Sequence, residues 1–74
     1  MDNLNVKKIL SVIKAMREEL GYSQAEMAKR SEMSTSFYGM IERGNRCLNI
    51  ENLIKISNAL DCDITDILEI AENN

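Results

Sequence analysis

Ser23-Gln24-Ala25-Glu26-Met27-Ala28-Lys29-Arg30-Ser31-Glu32-Met33-Ser34-Thr35-Ser36-Phe37-Tyr38-Gly39-Met40-Ile41-Glu42-Arg43-Gly44 is the stretch on which the fold turns. Ser23 with Glu26 three residues on reads as a capping box. The serine oxygen accepts from an early backbone N–H, and the glutamate reaches back to the cap. A short helix over 23–30 follows, with Met27 and Ala28 facing inward. Ser34 has the chemistry of a second N-cap, which leaves Ser31-Glu32-Met33 as a tight turn. The next helix, 34–43, stops at Gly44, a residue that takes the left-handed conformation ending many helices.

Upstream, residues 6–20 carry Val6, Ile9, Leu10, Ile13, Met16 and Leu20 as a one-sided helical stripe, opposite Lys7, Lys8, Lys14 and Glu18. Gly21 closes that helix. Downstream, Asn45 to Leu48 form a loop and Asn49 caps a fourth helix, with Ile50, Leu53, Ile54, Ser57 and Leu60 expected inward. Asp63 caps a last short helix bearing Ile64, Ile67 and Leu68. There are no repeats and no low-complexity segments, so the expectation is one all-α domain over 1–74, five helices joined by four short turns. At 74 residues the chain is near the lower size at which a core suffices without a staple. Its apolar fraction of 45%, with one Phe, two Tyr and no Trp, implies an aliphatic core.

Charge and cysteine content narrow the function. With no histidine, and with Cys47 and Cys62 far apart, the usual zinc patterns are excluded and no cofactor is implied. No stretch approaches transmembrane length and the N-terminus lacks an apolar signal core, so a cytoplasmic protein with ordinary thiols is expected. The net charge of −3 is unevenly spread. Residues 1–20 and 21–46 each sum to +1, whereas residues 47–74, with Lys55 against Glu51, Asp61, Asp63, Asp66, Glu69 and Glu72, sum to −5. An anion-facing surface built from the first two-thirds is therefore compatible with an acidic chain.

Two short helices, capped by Ser23 and Ser34 and joined by about three residues, have the proportions of a helix-turn-helix over 23–43. The second helix of such a pair enters the DNA major groove while the first crosses the backbone. The local sequence sharpens this. Leu20-Gly21-Tyr22-Ser23-Gln24-Ala25-Glu26-Met27-Ala28, then Ser34, then Ile41-Glu42-Arg43-Gly44-Asn45-Arg46, then Asn52-Leu53-x-Lys55-Ile56-Ser57-x-Ala59-Leu60 resemble the Cro/C1-type, phage-repressor-like family over roughly residues 9–68, with 69–74 as a tail. The resemblance implies a compact five-helix, lambda-repressor-like domain, usually dimeric, that binds double-stranded operator DNA and regulates transcription. Relatives commonly have glycine where Glu32 stands, because the chain there takes positive φ; a non-glycine residue costs on the order of 1 kcal/mol.

The residues expected to meet DNA are Ser23, Gln24, Ser34, Thr35, Ser36, Phe37, Tyr38, Gly39, Met40, Arg43, Asn45 and Arg46. Thr35 and Ser36 are short and permissive readers, and Met40 offers only apolar contact. The first turns of the helix lack the Gln, Asn or Arg that reads a base edge bidentately, which moves weight to Arg43, Arg46, DNA shape and bridging water. Gln24 matches the family's phosphate-contacting glutamine at a helix N-terminus. Plainer readings stand beside these: Ser23 and Ser34 are caps first, Tyr38 and Phe37 equally suit the core, and Glu42 matches the family's ion-pair partner of Arg17.

One module of this size covers little DNA, so a homodimer reading two half-sites is expected, with Ile64, Ile67, Leu68 and Ile70 of the last helix as its apolar face. Ile41 to Ile50 also resembles controller proteins of restriction–modification systems, with Cys47 where those commonly have Asn. A phage, mobile-element or antitoxin-type repressor fits as well. The rival class is a protein-interaction module that keeps the fold without strong DNA binding. No nucleophile–base pair and no phosphate-cradling glycine loop argues for an enzyme, and nothing implies a small-molecule ligand or a membrane.

Overall fold

Five capped starts and four left-handed stops cut the chain into its helices in the computed structural model, which describes residues 4–73. The helices are α1 (Val6–Glu19), α2 (Gln24–Arg30), α3 (Thr35–Glu42), α4 (Ile50–Ala59) and α5 (Ile64–Glu72), and among the described residues there is no strand. Asn5, Ser23, Ser34 and Asn49 each accept a backbone N–H from three residues on, at 2.9, 3.0, 3.1 and 2.7 Å. Each such cap is worth about 1 kcal/mol. The box expected at Ser23 forms only in half. Glu26 turns away from the cap and pairs with Arg30 at 2.8 Å, one turn along its own helix. Before α5 the reciprocal contact does form, the Asp66 carboxylate accepting from the Asp63 N–H at 3.0 Å.

Helices α1 to α4 all end in the same way. After each, one backbone N–H reaches five residues back and its predecessor three back, as in Tyr22 to Arg17 with Gly21 to Glu18, and Asn45 to Met40 with Gly44 to Ile41. The residue at the stop takes positive φ: Gly21 at 77°, Glu32 at 60°, Gly44 at 84° and Asp61 at 56°. Glu32 thus adopts the conformation expected of it. Asp61 was not foreseen, and aspartate is among the residues that tolerate it.

The pair α2–α3 packs tightly together, α1 lies against α5 and α3, and α4 bridges α2 and α5. The core they enclose is aliphatic around one tyrosine: Leu10, Val12, Ile13, Met27, Ala28, Tyr38, Ile41, Leu53, Ile56, Leu60, Ile67 and Ala71 are all buried. The radius of gyration, 11.2 Å, is that of one folded unit of this length. Helix α5 continues through Glu72 with Ala71 buried, so residues 69–72 are packed helix instead of tail.

Two expectations about inward faces are corrected. On α4 the buried positions are Leu53, Ile56, Ser57 and Leu60, while Ile50 and Ile54 are 66% and 45% exposed. A periodic stripe fixes which residues share a side but not how far the helix rolls, and α4 rolls so that Ile56 replaces its neighbours inside. On α1, Val6 and Leu20 lie at the frayed ends and are exposed, whereas Val12 and Arg17 are buried.

Candidate nucleic-acid interface

Helix α3 has two unlike sides. Its inner side is Tyr38, Ile41 and Glu42, all buried. The Glu42 carboxylate is the centre of a closed polar network. Arg17 donates to it through Nε at 2.8 Å and Nη2 at 3.1 Å, Gln24 Nε2 donates at 3.0 Å, and the Tyr38 hydroxyl donates to the oxygen that also takes Arg17 Nε. The remaining guanidinium arm, Nη1, donates to the Tyr22 carbonyl at 2.7 Å. One carboxylate thereby ties α1, the α1–α2 turn, α2 and α3 together.

The titration of these groups follows from that geometry. Burial pushes the Glu42 carboxyl up, but the hydrogen bonds from Arg17, Tyr38 and Gln24, with the guanidinium charge, outweigh it and hold the group below its ordinary value. The hydrogen bond to Glu42 raises Arg17 further above its usual range. Burial, then the hydrogen bond to Glu42, pushes the Tyr38 hydroxyl well up. All three hold the charge states that make the network.

The outer side of α3 faces solvent. Ser34, Thr35, Ser36 and Arg43 are exposed, as are Asn45 and Arg46 just beyond the helix and Ser23 at the start of α2. Met40 and Phe37 are half-buried. Arg46 lies over the Phe37 ring, 5.1 Å from its centroid, so the ring steers a cation toward the flank of α3. Arg43 turns back along its own helix, and its guanidinium covers Gly39.

Four of the expected residues behave differently from a simple contact surface. Tyr38 has no exposed surface and its hydroxyl is bound to Glu42, so it is a core residue and not a DNA contact. Gly39 is buried, and the atoms nearest its open side are those of the Arg43 guanidinium. Gln24 is half-buried with its amide nitrogen donating to Glu42, so its first task is structural. Ile67, expected on a dimer face, has no exposed surface and belongs to the subunit's own core; Ile64 and Leu68 are half-buried, and Ile70 is 45% exposed.

Two residues escaped the sequence reading. Lys7 and Lys14 of α1 line one shallow groove with Arg43 and Gly44, which extends the basic surface from α3 onto α1. Their charges were visible in the sequence, but their place beside α3 depends on how α1 crosses it. The acidic residues Asp61, Asp63 and Asp66 gather around Asn58 and Cys62 at the α4–α5 junction.

An outward, capped second helix held at a fixed angle by the first is the geometry of the DNA-binding helix-turn-helix. The helix-turn-helix family model matches residues 13–67, and the chain belongs to that family of DNA-binding transcription regulators. The structure is similar to that of the restriction-modification controller protein C.AhdI from Aeromonas hydrophila, with a TM-score of 0.78 and 29% identity over 84% of this chain and 94% of that one. It is also similar to the clp gene regulator ClgR from Corynebacterium glutamicum, with a TM-score of 0.82 and 24% identity over 96% of this chain and 77% of that one, a likeness of fold. Comparison with curated proteins gives no significant match. Among the described residues no helix is long and apolar enough to cross a membrane.

Proposed function

We propose that this chain acts as a homodimer on operator DNA, inserting α3 of each subunit into successive major grooves to regulate transcription. The observation that carries the reading is the division of α3: an inner side bolted by Glu42 and an outer side with exposed hydroxyls and cations. Ser23, Gln24 and Ser34 lie at the helix starts, where backbone N–H groups favour phosphate. Thr35, Ser36 and Met40 face the bases, while Asn45, Arg46, Lys7 and Lys14 flank them as backbone contacts. Gln24 keeps one amide N–H for that purpose. The dimer surface is drawn from the apolar residues the fold leaves uncovered, Ile50 and Ile54 on α4 with Ile64, Leu68 and Ile70 on α5. The acidic residues then lie away from DNA. The likeness to C.AhdI supports a controller of restriction–modification gene expression over other repressor types.

The test is binding to the DNA upstream of the chain's own gene, measured by fluorescence anisotropy across a salt series for the wild type and Arg46→Ala. The expected log K against log salt is steeply negative, and losing one phosphate contact per subunit, two per dimer, flattens it by about 1.8. Binding that is absent or indifferent to salt would favour the protein-interaction module instead.

A further inference from the structure

Gly39 stands in the middle of α3 with no backbone reason to be glycine. Its φ is not in the left-handed region, unlike Gly21 and Gly44, and a glycine inside a helix costs stability relative to alanine. Its missing side chain makes room for one thing. A Cβ at this position would lie 3.0 Å from Nη1 of Arg43 and 3.5 Å from both Cζ and Nη2, with no other group among its three nearest neighbours.

Arg43 is also unlike the other arginines. Arg17 is locked to Glu42, Arg30 pairs with Glu26 and lies 4.3 Å from the Tyr22 ring centroid, and Arg46 rests on Phe37. Among the described residues the Arg43 side chain has no hydrogen-bond, ion-pair or ring partner, and it is exposed. A planar fork therefore lies along the reading helix over Gly39 with its donors unspent.

Resting on the DNA-binding reading above, we propose that Gly39 and Arg43 together form the specificity element of α3. Gly39 supplies the vacancy that seats the guanidinium one turn back from its own Cα. Arg43 then donates bidentately to the two major-groove acceptors of a guanine. This restores to α3 the base-reading fork that Thr35, Ser36 and Met40 cannot provide.

The experiment is selection of bound duplexes from a randomised library, followed by titration of the selected duplex and its single-base variants. Wild type, Arg43→Lys, Arg43→Ala and Gly39→Ala are compared, with a thermal melt of each. The wild type is expected to select a guanine in each half-site whose replacement weakens binding roughly 10- to 100-fold. Arg43→Lys keeps the charge and loses the fork, and Gly39→Ala keeps the arginine and displaces it; each is expected to shrink that ratio to about twofold. Gly39→Ala is expected to melt no lower than wild type, which separates lost selectivity from lost fold. A guanine preference unchanged in Arg43→Ala, or an Arg43→Ala that weakens all duplexes equally, overturns this proposal alone. A wild type that selects no sequence overturns both it and the operator-binding reading.

Discussion

Replacing Glu42 by glutamine removes a charge and changes the volume hardly at all, so its effect reports on the network and not on packing. Each carboxylate oxygen accepts two hydrogen bonds, one from Arg17 Nε and the Tyr38 hydroxyl, the other from Arg17 Nη2 and Gln24 Nε2. An amide placed there in either orientation points its NH2 group at one Arg17 N–H, which can only donate, while the Tyr38 hydroxyl or the Gln24 amide beside it can turn to accept. One hydrogen bond from Arg17 is lost, at about 1.5–3 kcal/mol, and Arg17 stays buried without its counter-charge. That agrees with the roughly 3–5 kcal/mol expected for breaking a buried pair from one side. At ~0.05–0.15 kcal/mol per residue, a chain of 74 residues has roughly 4–11 kcal/mol in total, so Glu42→Gln should remove about a quarter of the stability or more.

The assay is urea unfolding followed by circular dichroism at neutral pH, with Glu26→Gln as the control. That control breaks an exposed pair whose side chains are 41% and 47% accessible, and it should stay within about 0.5 kcal/mol of wild type. The pH dependence gives a second reading. The Glu42 carboxyl is held below its ordinary value in the folded chain, so its contribution is present above the ordinary carboxylate range and is lost as pH falls through the folded value. Wild type and Glu42→Gln should therefore differ most at neutral pH and converge only as pH falls beneath the ordinary carboxylate range, through the lowered folded value. A Glu42→Gln protein within 1 kcal/mol of wild type at neutral pH would refute the reasoning.

Two further outcomes are expected. Glu32→Gly relieves a positive φ of 60° and should raise unfolding free energy by up to about 1 kcal/mol; a loss would mean that Glu32 is not strained. Ile54→Lys changes a residue 45% exposed in the subunit, so unfolding should shift by less than about 0.5 kcal/mol, while sedimentation should show a weakened dimer. An unchanged association constant would remove α4 from the dimer surface.

Much of the architecture was legible because it rests on local chemistry. Ser23, Ser34 and Asn49 announce helix starts, and Gly21 and Gly44 announce stops, through hydrogen bonds made within six residues. Arg17–Glu42 became legible through the family resemblance, since no local rule joins residues 25 apart. The errors share another cause. Ile50 and Ile54 outside, Val12 inside, Lys7 and Lys14 beside Arg43, and Glu26 paired with Arg30 depend on helix roll, crossing or rotamer, which a one-dimensional pattern leaves open. Ile67 was assigned to a partner because α5 looked too apolar for its own needs; against α1 it needs that apolar side itself.

The same division explains how such a helix can change its target without losing its place. Tyr38, Ile41 and Glu42 fix α3 through its inner side, and none of them reaches the surface that DNA would meet. Thr35, Ser36 and Arg46 are exposed, so substitutions there can alter recognition at little cost to folding. Gly39 is the exception. Alanine there would favour the helix by about 0.5–1 kcal/mol, and the three atoms nearest its Cβ all belong to the Arg43 guanidinium. On the proposed reading of Arg43, a position where folding alone favours a larger residue, and where the atoms nearest the missing side chain are those of an unpaired guanidinium, is where stability yields to recognition.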